Sequence, residues 1–158
     1  MYRKVQDFIN DWEFAAQGTE AVLQSVTDDK MGQAIVSGHS TLGWLGYHLV
    51  VTPAFITGLV GLDIKASLSA EPKHAQDNVT AYRQMVADVK QAVAENLSDE
   101  ALTEEVDGFG KKMPRGAILQ QLIEHQTHHR GQMTVLLRQA GLHVPGIMGP
   151  TLEQKKQA

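Results

Sequence analysis

The chain has 158 residues, 42% hydrophobic and 20% charged, which is the composition of a folded domain and not of a disordered chain. Fourteen Lys and Arg against eighteen Asp and Glu leave a net charge of −4, and no stretch supplies the basic face that nucleic-acid binding requires. There is no cysteine, which excludes disulfides, thiolate zinc sites, iron–sulfur clusters and a cysteine nucleophile, so any metal must be held by His, Asp or Glu. The opening Met1-Tyr2-Arg3-Lys4 is not followed by the apolar run of a secretory leader, and the expected compartment is the cytoplasm. Two basic spots, Lys111-Lys112 beside Arg115 and Lys155-Lys156 near the end, read as a solvated loop and a frayed terminus.

Four stretches carry helical periodicity. The first runs from about Arg3 to Val26, where Val5, Phe8, Trp12, Ala15, Ala16, Thr19, Val22, Leu23 and Val26 build one apolar stripe. The second runs from about Thr41 to Gly61, with Ser40 as its N-cap. Pro53 lies inside it and should kink the helix or free one carbonyl near its middle. From Met31 to Leu62 no Asp, Glu, Lys or Arg occurs, a span long enough to cross a bilayer. Its His39, His48, Gln33 and Pro53, its many small polar residues and the lack of a basic flank instead indicate a buried helix behind a polar loop, with no membrane association. On this second helix Leu42, Leu45, Leu49 and Ile56 make a core stripe, whereas Trp44, Val51, Phe55 and Leu62 point elsewhere. That surplus of apolar surface points to a homodimer.

The third helix runs from about Asp77 to Asn96, with Val79, Tyr82, Met85, Val86, Val89 and Val93 inside. The fourth runs from Pro114, suited to a first helical position, to about Ala140, with Gly141 just past its end. Between them Ser98 to Met113 forms a crossover loop or lid, in which Asp107-Gly108-Phe109-Gly110 reads as a turn and matches no phosphate loop. No stretch alternates with period two. The fold class is therefore all-α, a four-helix bundle with a crossover loop before the last helix. It occupies residues 1–150 as a single domain, and 151–158 form a flexible tail.

Seven histidines are many for this length, and three stand together in Glu124-His125-Gln126-Thr127-His128-His129-Arg130-Gly131-Gln132. Positions four apart lie about 40° apart around a helix, so His125 and His129 present their imidazoles to one point, the spacing two metal ligands on a helix need. They fall on the stripe of Ile118, Leu122, Met133 and Leu136 and so face the bundle interior, whereas His128 points off that face. A rival register pairs His125 with His128, and a hydrogen-bonded core pair is the plain alternative to a metal. His48, on the core stripe of the second helix, supplies a third inward imidazole and completes a three-His set with a coordination position left open. An all-nitrogen set suits zinc, nickel or iron(II) and disfavours calcium and magnesium. His39 reads as a loop or cap residue able to approach the site, and His74 and His143 as loop residues. Arg130 and Gln132 are expected beside the ligands, or Arg130 holds its helix through a carboxylate such as Glu13 or Glu20.

The run His125-xxx-His129-Arg130-Gly131-Gln132, continuing to Leu136-Leu137-Arg138-Gln139-Ala140-Gly141, resembles the final helix of the DinB/YfiT-like family. Leu42-Gly43-Trp44-Leu45-Gly46-Tyr47-His48 resembles its second helix, and the likeness extends from the first helix to Gly141. The resemblance implies a four-helix bundle, often dimeric, with a three-His divalent-metal site whose ligands fall on His48, His125 and His129. It also implies a metal-dependent reaction for some relatives, either thiol transfer or a thiol-dependent isomerisation. The expected function is a metal-dependent enzyme acting on a small molecule, a hydrolase or a thiol S-transferase, with a low-molecular-weight thiol as a candidate partner. The other reading is a metal-stabilised binding or stress-response module without turnover. The motif contains no general-base carboxylate; helix one, with Glu13, or the crossover loop would have to supply it.

Overall fold

The computed structural model describes residues 1–155. Four helices carry the fold: α1 Val5–Gln24, α2 Leu42–Leu59, α3 Ala75–Asn96 and α4 Arg115–Gln139. A four-residue helix, α5 Leu152–Lys155, follows them, and its Glu153 pairs with Arg138 of α4 at 2.8 Å. Residues 156–158, the end of the expected tail with Lys156 of its basic pair, lie outside the described residues.

Around the bundle the order is α1, α3, α2, α4, each packed on the next, with α4 closing on α1. Glu13 pairs with Lys90 and Glu20 with Arg83, so α1 and α3 are antiparallel. Arg130 of α4 reaches the Ala15 carbonyl and Tyr2 N–H bonds the Gly116 carbonyl, so α1 and α4 run the same way. The apolar stripes face inward as their periodicity requires. Phe8, Trp12, Met85, Val89, Leu119 and Leu122 fill one end, and Leu23, Leu45, Leu49, Tyr82, Met133 and Leu137 the other.

The helix ends differ from the expected ones for local reasons. Thr41, not Ser40, caps α2, its Oγ1 accepting from Trp44 N–H at 3.1 Å. Pro114 is the N-cap of α4 and the last strand residue, not the first helical one. Both α2 and α4 end in a glycine with positive φ, Gly61 at 91° and Gly141 at 72°, followed by a residue whose N–H returns five residues. At α2 that residue is Leu62, which bonds the Thr57 carbonyl and is 6% exposed; it is a core residue and not an outward one.

The crossover before α4 contains a hairpin that periodicity did not reveal. Strands β1 Glu105–Gly108 and β2 Lys111–Pro114 form an antiparallel hairpin with Gly108 opposite Lys111. Its two-residue turn is Phe109-Gly110, both at positive φ, 51° and 80°, which matches the twist of paired strands. Four residues per strand are too few for alternation to register. The base of the crossover is pinned at Gly116, where a Cβ would lie 1.9 Å from the Tyr2 carbonyl oxygen, so only glycine admits the N-terminal segment there.

Candidate metal centre

The site lies on the seam between α2 and α4. Pro53 has no N–H to give the carbonyl four residues back, Leu49. That carbonyl accepts instead from Gln126 Nε2 of α4 at 3.1 Å, and Gln126 Oε1 accepts from Tyr82 OH of α3 at 3.1 Å. The freed carbonyl expected from the sequence therefore docks α2 against α4 at a buried amide. One turn on, Arg130 is 5% exposed and donates to the Ala15 carbonyl at 2.8 Å and to Thr19 Oγ1 at 3.3 Å. Its anchors are thus neutral groups on α1 and not a carboxylate; Glu13 and Glu20 pair with Lys90 and Arg83. Glu13, held on the outer α1–α3 face, does not join the histidines.

Gln126 and Arg130 occupy the centre of the inward face of α4, and each directly follows a histidine of the motif. His125 and His129 are consequently rotated to the edge of that face. They are half-buried between α4 and α2 rather than in the bundle interior. His128 is exposed, as the i, i+4 register requires. His48 comes from α2 to meet the pair, and ring centroids of the three lie 4.4 to 4.9 Å apart.

One ring nitrogen from each of His48, His125 and His129 lies within 4.8 Å of the other two. His48 Nε2 and His125 Nε2 are 3.0 Å apart. Two nitrogens on one tetrahedral zinc, each at about 2.0–2.1 Å, would be separated by about 3.3 Å. The three residues therefore fit a shared cation with small ring movements. No Asp, Glu or fourth His joins the group among the described residues. The surroundings also suit metal ligation. Burial, and secondarily the nearby His129, lowers the pKa of His48. Burial, with His129, His48 and His128 adding to it, lowers that of His125 to about 4. Both rings are thus neutral near pH 7, with a lone pair available.

Neighbouring groups orient the rings. Gln132 Oε1 lies 2.7 Å from His129 Nδ1; with the proton on Nδ1, His129 Nε2 is free as a ligand. Trp44 stacks on His48 with centroids 4.7 Å apart and planes 12° from parallel. Among the described residues His125 Nδ1 is buried with no hydrogen-bond partner, so the polar contact of this ring runs through Nε2 toward His48. Gln126 was not singled out from the sequence; its signal was the combination of Pro53 with a buried amide beside His125. Among the remaining histidines, His39 is exposed on the loop before α2, and His74 bonds Asp28 at 2.8 Å.

The chain matches the model of the DinB family over residues 1–157. It is 40% identical to the uncharacterized protein YrdA of Bacillus subtilis strain 168 over 156 residues, covering 98% of this chain and 93% of that protein. A crystal structure of a DinB-like protein from Bacillus cereus ATCC 10987 superposes with a TM-score of 0.88 at 37% identity, covering 93% of this chain and 99% of the other. The DinB-like protein YjoA of Bacillus subtilis shares the fold, with a TM-score of 0.72 at 16% identity over 91% of this chain and 99% of that one. With its bundle, its three clustered histidines and a family match along nearly its whole length, the chain belongs to the DinB family.

Proposed function

We propose that this protein is a metal-dependent enzyme acting on a small molecule, with one transition metal held by His48, His125 and His129. The observation that carries the reading is the convergence of three imidazoles from two helices at a half-buried position, two of them kept neutral by burial. A divalent ion there would act as a Lewis acid toward water or a thiolate, the chemistry of a hydrolase or a thiol S-transferase. The chain's own residues divide the remaining work. Gln132 sets the tautomer of His129, Trp44 covers one face of His48, and Gln126 fixes the register of α4 against α2. Three protein ligands at a half-exposed seam favour an open coordination position over a closed structural site.

Exposed Trp44 and Phe55 on α2, 37% and 63% accessible, support a homodimer through that helix, which sedimentation at micromolar concentration reads directly. The test of the central reading is elemental analysis of protein purified without a histidine tag, followed by a screen of thiol conjugations and ester or amide hydrolyses. Near-stoichiometric zinc, nickel or iron with turnover that chelation abolishes supports it. Protein that takes up no metal under any loading condition overturns it.

A further inference from the structure

One helical turn along the α2–α4 seam from the histidines is a cavity of about 230 Å³, lined by Ile35, His39, Ser40, Leu45, Gln132, Val135 and Leu136. Leu45 precedes His48 by three residues on α2, and Gln132 follows His129 by three on α4, so the cavity continues the surface that carries the three rings. Its outer wall is the loop before α2, closed at its base by pairing of Ala34 with Thr41 and by Leu42 N–H bonding the Gln33 carbonyl at 2.9 Å. Among the described residues no Asp, Glu, Lys or Arg lines it, and four of its seven lining residues are aliphatic. An apolar cavity of about 150 Å³ already accepts benzene, so this one has room for a substituted ring or a short branched chain.

The polar group nearest the histidines is Gln132. Its Oε1 is committed to His129 Nδ1–H, and within the described residues its Nε2 makes no hydrogen bond. An amide held this way has both Nε2 hydrogens left to offer as donors to the cavity. We propose that this cavity is the substrate pocket, and that it takes a small uncharged molecule with an apolar body and a hydrogen-bond acceptor, such as a carbonyl oxygen, placed at Gln132. The orientation brings the acceptor end toward the metal centre and leaves the apolar body between the loop and Val135. The inference rests on the metal reading for its catalytic meaning, but occupancy of the pocket does not require the metal.

Acetophenone, ethylbenzene and benzoate separate the three properties claimed: apolar body, acceptor and absence of charge. Their binding is followed by amide chemical shifts on labelled protein, both metal-free and zinc-loaded. Acetophenone is expected to shift Leu45, Val135, Leu136 and the Gln132 side chain saturably, and to bind about threefold to tenfold more tightly than ethylbenzene. Gln132→Leu should erase that preference while ethylbenzene still binds. Val135→Trp, at a position 47% exposed and so compatible with folding, should fill the pocket and abolish both. Benzoate binding as well as acetophenone, no saturable shift in the millimolar range, or shifts indifferent to Val135→Trp would overturn the proposal. Zinc titration of the same samples keeps the two readings apart: acetophenone without zinc leaves the pocket and removes the metal, and zinc without acetophenone does the reverse.

Discussion

The bundle has two antiparallel seams of opposite character. Between α1 and α3 the interior is apolar, with Trp12 fully buried and its one polar atom, Nε1, donating to the Val86 carbonyl at 3.1 Å. Charges there stay at the rim, in the Glu13–Lys90 and Glu20–Arg83 pairs. Between α2 and α4 the same helix geometry brings together three half-buried imidazoles, an amide docked on a freed carbonyl and an adjoining cavity. A polar group inside a fold requires a partner; the Leu49 carbonyl freed by Pro53 finds one in Gln126, and His48 and His125 meet each other, while His125 Nδ1 has none among the described residues.

The largest expected effect comes from deleting a ring at the α2–α4 seam. His48→Ala, His125→Ala and His129→Ala should each weaken metal binding by more than the roughly 10–100-fold typical of removing an outer-shell partner. His128→Ala should leave metal content unchanged, because that ring is exposed on another face. Each ligand loss should also remove the rise in melting temperature that added metal gives the wild type. Inductively coupled plasma mass spectrometry and thermal melts with and without zinc read both. Metal lost in His128→Ala and kept in His129→Ala would restore the rival i, i+3 register.

At the α1–α3 seam the pattern should invert. Trp12→Ala removes a fully buried indole and should cost about 3–5 kcal/mol in urea unfolding. Zinc affinity of the fraction that remains folded should be unchanged. A parallel loss of affinity would mean that the two seams are not independent and that α1 helps to shape the metal centre.

Much of this division is legible in the sequence, and the parts that are not share one cause. Stripes along each helix, the Pro53 defect and the His125/His129 register are local, repeating every three or four residues, and can be read directly. What escapes is any partner brought from far along the chain. The first turn of α1 is capped by Asp99, whose Oδ1 accepts from Val5 N–H at 2.8 Å, and that of α3 by Asp28, which accepts from Ala75 N–H at 2.7 Å. Neither helix has a side-chain cap of its own. Arg130 likewise finds a carbonyl on α1 where a carboxylate was expected. On α4, Ile118, Leu122, Met133 and Leu136 suggest a stripe through the histidines, about one residue off the face the helix buries. The buried Gln126 and Arg130 shift it, and polar residues carry no hydrophobic signal to reveal that. The Phe109-Gly110 hairpin is hidden by brevity and by a non-glycine residue at positive φ.

A smaller effect sharpens the comparison within the α2–α4 seam itself. Gln126→Leu leaves the Leu49 carbonyl and the Tyr82 hydroxyl without their partner, at a cost of about 1–3 kcal/mol for each buried group left unpaired. If the amide also sets the register of His125 against His48, metal affinity should fall about tenfold, as for other groups that orient ligands. Adding Pro53→Ala returns an N–H to the Leu49 carbonyl. The double variant should therefore recover the Leu49 share of the lost stability, with the Tyr82 hydroxyl still unpaired, and should not recover affinity. Recovery of both would make Gln126 a packing residue with no positioning role.

The smallest effect is in pH, and it has opposite signs in two parts of the molecule. At the start of α3, His74 bonds Asp28 at 2.8 Å, and that hydrogen bond with the carboxylate charge raises the His74 pKa. A histidine with a raised folded pKa contributes stability below its unfolded value of about 6.5 and loses it as pH rises through the folded value. At the α2–α4 seam, burial lowers the pKa of His48 and takes that of His125 to about 4. In metal-free protein the unfolded chain then binds protons that these rings refuse. Stability is retained above about 6.5 and lost as pH falls toward the folded values. Melting temperatures of chelated protein between pH 4.5 and 8.5 separate the two contributions. His74→Ala should lower stability more at pH 5.5 than at 8.5. His125→Ala should flatten the acid-side loss. Zinc should protect the wild type on that side until protons displace it from the imidazoles, with proton uptake as the metal leaves. An acid-side loss of equal size in wild type and His125→Ala would mean that the ring is not held neutral by its burial. The lone pair offered to the metal at neutral pH would then lack the physical cause assigned to it.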